Sequence, residues 1–224
     1  MSTLLPISVL VSGSGTNLQA ILDAARVGSL PVRVVSVISD QPDAYGLTRA
    51  AKAGVPGLVL EATGGMHRQE YDQALGALLG ESDPGLVVLA GFMRILGAGL
   101  VRDWEGRMLN VHPSLLPAYR GLHTHRRVLE AGESHHGTSV HFVTEELDGG
   151  PLIAQAKLDI GPEDTEQTLN ARVQALEHRM YPAVIRWFAQ DRLRMTDGRV
   201  ELDGVRLEEP VTRGEEAWLR SSAE

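Results

Sequence analysis

The sequence predicts an α/β protein built on a doubly wound, mostly parallel sheet. Three observations predict it. Short β-branched runs alternate with helix-period segments through the first half. Those runs are apolar almost throughout, as in strands covered on both faces, and do not alternate with polar residues. A glycine-rich turn, SGSGTN (Ser12 to Asn17), joins the first run to the first helical segment, where such sheets hold anions.

The elements follow in order. ISVLVS, VRVVSVIS, GLVLE, LVVLAG and RMLNVH read as five strands, beginning at Ile7, Val32, Gly57, Leu86 and Arg107. Helices fit the intervals between them. NLQAILDAARV (Asn17 to Val27) places Leu18, Ile21, Leu22 and Ala25 on one stripe, and RQEYDQALGALLG repeats the pattern until Gly80. After Pro113 the style changes to a loop rich in Pro, Gly and His, then strands TSVHFV and PLIAQAKLDI. GPEDTEQTL opens a long helix from about Asp164 to Phe188. The tail RLRMTDGRVELDGV has Asp-Gly twice between short strand-like runs, which predicts a C-terminal hairpin or meander followed by a fraying polar end. The late part of the sheet is therefore expected to be mixed.

With 224 residues and no long Gly/Ser/Pro linker, one domain over 1–224 is expected. A formal charge of -8 argues against a phosphate-backbone binder, which needs a basic field, so no nucleic-acid partner is expected. The absence of cysteine excludes disulfides, thiolate catalysis and cysteine zinc sites, and agrees with a cytoplasmic protein. The start lacks a cationic signal region, and no run reaches membrane-spanning length, so no membrane partner is expected.

Three constellations carry chemistry. In SGSGTN, glycines let a backbone approach a phosphate while free amides at the helix start supply positive potential without a basic residue. Walker A fails for want of Gly-Lys-Ser/Thr, and the dinucleotide fingerprint fails because Leu18 stands where its third glycine belongs, which favours one phosphate monoester. The plainer alternative is a tight turn at Gly13 and Gly15 with Thr16 capping the helix. In NVHPSLLP, Asn110 and His112 are two residues apart on a strand and so share a face, and Pro113 ends the ladder behind them. Both would emerge beyond the carboxyl end of the strand, where open parallel sheets place their sites. Asp148, before two glycines, reads locally as a turn former, and sequence alone does not bring it to them. The histidines at 123, 125, 135, 136 and 141 have neither HExxH spacing nor paired carboxylates, so they are expected to line a polar loop or face an anionic ligand, and no metal is expected.

Taken in order, VLVSGSGTNLQAIL, VVLAGFMRIL, LNVHPSLLPAYRGLHTH, HGTSVHFVTEELDGGPLIAQ and ARVQALEHRMYP resemble the folate-dependent phosphoribosylglycinamide formyltransferases over nearly the full length. The resemblance implies a Rossmann-like formyltransferase fold, with a phosphate-binding half at about 1–104 and a folate and catalytic half at about 105–210. It implies transfer of formyl from 10-formyltetrahydrofolate, a co-substrate, to the amine of glycinamide ribonucleotide in purine synthesis, by a monomer or homodimer without metal. Asn110, His112 and Asp148 match the family's catalytic trio. Gly15, Thr16 and Asn17 match the loop on the substrate phosphate, and Glu177 matches the ribose contact. For the folate, Arg68 matches the glutamate-tail contact. Met93, Arg94, Ile95, Leu96, Val101, Asn110, His141, Val143, Thr144 and Asp148 match the pterin pocket.

The implied chemistry is direct attack through a tetrahedral carbon whose oxyanion needs donors. Asn110 and a protonated His112 would supply them, and an ionised Asp148 would favour the imidazolium and shuttle the proton from amine to N10. Methionyl-tRNA formyltransferase shares the trio but recognises a polyanion and normally adds a C-terminal domain, which this short acidic chain is not expected to have. Formyltetrahydrofolate hydrolases usually add an N-terminal regulatory domain. A nicotinamide oxidoreductase or a nucleotide-binding module would use the glycine loop with Asp40, against which Leu18 argues.

Overall fold

The computed structural model describes residues 3–220. Its main sheet has eight strands in the order β11-β7-β6-β5-β4-β1-β2-β3. The first five are β1 (Leu5–Val11), β2 (Val32–Ser39), β3 (Gly57–Val59), β4 (Leu86–Leu89) and β5 (Met108–His112), all parallel. The antiparallel β6 (His135–Phe142) then joins β5 to β7 (Leu152–Asp159). The chain winds outward from β1 in both directions, so a crevice opens between the carboxyl ends of β1 and β4.

Side-chain alternation decides which helix covers which face. Ile7, Val9, Val11, Val88, Leu109 and Val111 enter one core with α1 (Thr16–Arg26) and α6 (Glu166–Ala189). Leu10, Val87, Leu89 and Met108 point the other way, into a second core with α3 (Arg68–Ser82) and α4 (Ala98–Asp103). Met108, Asn110 and His112 thus share a face. The apolar partner ends there and the polar pair begins. Among the described residues no helix is long and apolar enough to cross a membrane.

Three short helices were not individually read from the sequence: α2 (Tyr45–Lys52), α4 and α5 (Thr124–Glu130), the last inside the stretch expected to be loop. Each has eight residues or fewer, too short for a 3.6-residue period to stand out. The long helix runs as expected despite Pro182 in its interior. At the C-terminus the expected hairpin is a three-stranded antiparallel meander, β8 (Leu193–Thr196), β9 (Arg199–Leu202) and β10 (Val205–Arg206). Its two turns, Asp197-Gly198 and Asp203-Gly204, hold both central residues at positive φ, which the Asp-Gly pair favours.

The polar end is a correction. β11 (Val211–Gly214) returns to pair in parallel with β7, and α7 (Glu215–Arg220) seats a buried Trp218 beside Trp187. The Trp218 indole donates to the Gln155 carbonyl at 3.1 Å and Arg172 bridges to Glu215 at 2.7 Å, but one aromatic in a polar tail is a weak periodic signal. The last residues of the expected tail, 221–224, lie outside the described part.

Candidate active site

A cleft of about 620 Å³ opens at the crevice. The β1–α1 loop, the segment after β4, the end of β5, the loop before α5, the Leu147-Asp148 turn and one face of α6 line it. A volume of this order suits a ligand of drug size or larger.

The loop after β1 forms one wall. Gly15 is the N-cap of α1 at φ 67 with no side-chain cap, so Thr16 is the first helical residue and not the cap. The loop stays clear of side-chain caps, and no acceptor among the described residues takes the N–H of Ser14 or Gly15. The sequence predicted positive potential here without a basic residue. The structure corrects this, because Arg49 donates from Nε to the Ser14 carbonyl at 2.8 Å from behind the loop. Asn17 is buried and donates from Nδ2 to Glu177 Oε2 at 2.8 Å, tying α1 to α6 across 160 residues. Thr138 Oγ1 lies 3.4 Å from the other Glu177 oxygen. Burial pushes the Glu177 carboxyl up to about 7, with the Asn17 and Thr138 bonds opposing.

Asn110, His112 and Asp148 converge on the floor. His141 Nδ1 donates to the Phe142 carbonyl at 2.8 Å, which leaves Nε2 to accept from Asn110 Nδ2 at 3.1 Å. Burial holds the His141 imidazole below its usual range, consistent with that neutral acceptor. One N–H of the Asn110 amide is then occupied and the other is free. His112 Nε2 donates to the Tyr119 carbonyl at 3.0 Å, and its Nδ1 stands 3.5 Å from Asp148 Oδ2. Asp148 Oδ2 also accepts from the Gly121 N–H at 2.9 Å, while Oδ1, among the described residues, has only His141 at 3.9 Å. The two glycines after Asp148 explain its aim. Asp148 itself turns at φ 49, and a Cβ on Gly150 would strike the Phe142 carbonyl, so the chain folds tightly onto β6.

Of the residues matched to the pterin pocket, Met93, Arg94, Ile95, Asn110 and Asp148 line the cleft. Met93, Ile95, Leu122 and Leu147 are half or more exposed and make an apolar rim. Leu96 and Val101 belong instead to the second core, with Val143 packed against it, and His141 stands behind Asn110. Thr144 is half-buried and off the cleft wall. Arg68 lines a different cleft, of about 950 Å³, between α3 and α4, and the Ile95–Gly97 segment separates the two.

Sequence reasoning missed the α6 stripe of Glu166, Asn170 and Gln174, which leads up to Glu177 on the cleft side. Its signal was available: polar residues four apart beside the buried stripe Leu169, Val173, Leu176 and Met180. Among the histidines, His123 and His125 line the cleft, and His125 Nδ1 meets His136 Nε2 at 2.9 Å. His135 sits outside, 3.3 Å from Asp159. The described residues contain no group of three or more His, Asp or Glu placed to hold a metal.

Known proteins resemble this chain in sequence and fold. The formyl transferase family model matches residues 5–185. The phosphoribosylglycinamide formyltransferase of Escherichia coli is 52% identical over 90% of this chain and 95% of its own. That of Haemophilus influenzae is 47% identical over the same shares, 90% and 95%. Among solved structures, the phosphoribosylglycinamide formyltransferase of Coxiella burnetii superposes with a TM-score of 0.89 at 50% identity, covering 93% of this chain and 98% of that one. The glycinamide ribonucleotide transformylase 1 of Symbiobacterium toebii gives 0.86 at 46% identity, over 90% and 95%. A cleft at the sheet's switch point, an unobstructed amide loop and an Asn-His-Asp floor accompany these likenesses, and the chain belongs to the phosphoribosylglycinamide formyltransferases of the formyl transferase family.

Proposed function

We infer that this chain transfers the formyl group of 10-formyltetrahydrofolate to the amine of glycinamide ribonucleotide in purine biosynthesis. The observation that carries the reading is the meeting of Asn110, His112 and Asp148 on the floor of the cleft whose wall is the amide loop. The ribonucleotide phosphate takes the amides of Gly15, Thr16 and Asn17, and its ribose reaches Glu177. The pteridine lies against Met93, Arg94 and Ile95, with Leu96, Val101 and Val143 forming the apolar support behind it. His141 and Thr144 brace that side. A glutamate tail that crosses the Ile95–Gly97 segment meets Arg68 in the adjoining cleft.

The amine attacks the formyl carbon, a C–N bond forms, and the carbonyl oxygen becomes an oxyanion. The free N–H of Asn110 stabilises it, because the other N–H is already committed to His141. His112 supplies the second donor when its Nε2–H exchanges the Tyr119 carbonyl for the oxyanion, a charge-assisted and therefore stronger partner. One such donor contributes ~2.7 to 4 kcal/mol. The attacking nitrogen then carries a proton that N10 needs before the C–N10 bond breaks. Asp148 relays it, using Oδ1, the oxygen with fewer partners, while Oδ2 stays anchored to Gly121 and His112. Tetrahydrofolate leaves with the proton, and no covalent enzyme intermediate forms. All these groups come from one chain, so a monomer and a homodimer serve equally well.

The test is an assay of the protein with 10-formyltetrahydrofolate, with and without glycinamide ribonucleotide, followed by folate absorbance. Consumption that depends on the ribonucleotide is expected. Equal consumption without it would make water the acceptor and overturn the reading.

A further inference from the structure

The amide loop is gripped from the side away from the cleft. The Gly46 N–H donates to the Gly13 carbonyl at 3.0 Å, and Arg49 Nε donates to the next carbonyl, that of Ser14, at 2.8 Å. A second guanidinium nitrogen, Nη1, bonds Gln19 Oε1 at 3.0 Å, and the Tyr45 ring lies 4.9 Å from Cζ. The fork is thus held at both ends. The approach is close because both backbones are glycine there: a Cβ on Gly15 would stand 2.7 Å from Gly46 Cα. Arg49 does not line the cleft.

A trans peptide is planar, with C=O and the following N–H pointing in opposite directions. Fixing the Ser14 carbonyl backward therefore fixes the Gly15 N–H forward, and fixing the Gly13 carbonyl does the same for the Ser14 N–H. We propose that Arg49 is a positioning residue for recognition of the acceptor's phosphate, acting through the Ser14–Gly15 peptide without touching the phosphate. A flexible glycine loop left alone would turn these amides at random, and ordering them would oppose binding. The clamp removes that cost beforehand. The guanidinium also adds a full positive charge on the far side of a peptide whose dipole points its N–H at the anion. The inference rests on the proposed role of the loop as the phosphate cradle.

The experiment compares two acceptors, glycinamide ribonucleotide and the riboside that lacks the phosphate, with wild type, Arg49→Met and Arg49→Lys. The quantity read is the ratio of kcat/KM for the two. Wild type is expected to prefer the ribonucleotide, and Arg49→Met to cut the preference about tenfold through the ribonucleotide KM. The folate KM should stay where it is. Lysine keeps the charge but cannot span Ser14 and Gln19 with a rigid fork, so Arg49→Lys should recover only part of the preference. An unchanged ratio in Arg49→Met, or an equal loss for both acceptors, overturns the clamp. A wild type that does not discriminate the two acceptors removes the cradle itself, which is a different failure.

Discussion

The two ends of the cleft, proposed above for the acceptor and for the donor, are built differently. At the acceptor end, backbone amides are aimed by carbonyls pinned from behind, and Asn17, Glu177 and Thr138 join three distant segments inside the protein. At the donor end the walls are turns. Tyr119, His123 and Asp148 all sit at positive φ, a conformation that costs a non-glycine residue about 1–2 kcal/mol. The exposed ion pairs Arg102 with Glu145 and Arg120 with Glu146 contribute little here, and hydrogen bonds from His112 to Tyr119 and from Gly121 to Asp148 tie the turns to the floor. A phosphate is small and its shape never varies, so a rigid cradle recognises it best. A pteridine with its side chain is large and planar, and a wall of turns with an apolar rim can adjust around it.

The largest effects should break the floor between the two ends while leaving the ribonucleotide end standing. Asn110→Ala, His112→Ala and Asp148→Ala are each expected to lower turnover by roughly 10²- to 10⁴-fold. Calorimetric affinity for the ribonucleotide should hold, because none of the three belongs to the amide loop or to the Asn17–Glu177 bridge. Wild-type turnover in all three variants would dismiss the trio, and a parallel collapse of ribonucleotide affinity would mean that the ends are not separate.

Next comes the cradle. Gly15→Val forces a β-branched residue to φ 67 and drives its Cβ against Gly46, so the loop must move. Ribonucleotide binding should weaken about 10- to 100-fold with little change for folate. Arg68→Ala should act only at the other end and more mildly. The residue is exposed, so the folate KM is expected to rise roughly two- to fivefold, and only for a carrier with a glutamate tail. An unchanged KM with the tailed carrier, or the same rise with a tailless one, would take Arg68 out of the site.

These contrasts also explain what was legible in the sequence. The central strands β1, β4 and β5 could be read because burial on both faces makes them largely apolar, whereas the edge strand β3 is short and exposed; Asn110 with His112 stood out as the break in that rule. The Asp-Gly turns of the meander were legible because the positive φ they need selects their residues. The position of Asp148 was not, since its approach to His112 depends on the pairing of β5, β6 and β7, which local pattern does not encode. Arg49 was invisible for a related reason. It faces the back of a loop 35 residues earlier, and a lone arginine on a short helix looks like surface. The pterin matches carried over as sequence stretches, and the turn after β4 and the inner face of α4 send Leu96 and Val101 into the second core.

The smallest effect concerns the buried carboxyl of the acceptor end and appears in stability. Glu177 has its folded value raised from 4.5 to about 7 by burial. Between those values the folded protein holds a proton that the unfolded chain has released, so this residue makes stability fall as pH rises through the window. His136 acts oppositely. Burial lowers it from 6.5 to about 4, so it binds its proton mainly in the unfolded chain, and its contribution makes stability rise over almost the same range. The two should largely mask each other in the wild type. Glu177→Gln removes the falling contribution and keeps an amide that can bond both Asn17 and Thr138. Urea midpoints measured from pH 4.5 to 7 should therefore climb more steeply in Glu177→Gln than in wild type. Parallel profiles would mean that Glu177 is ionised throughout this range, and the proposed acceptor end would then hold a buried anion close to the proposed phosphate loop.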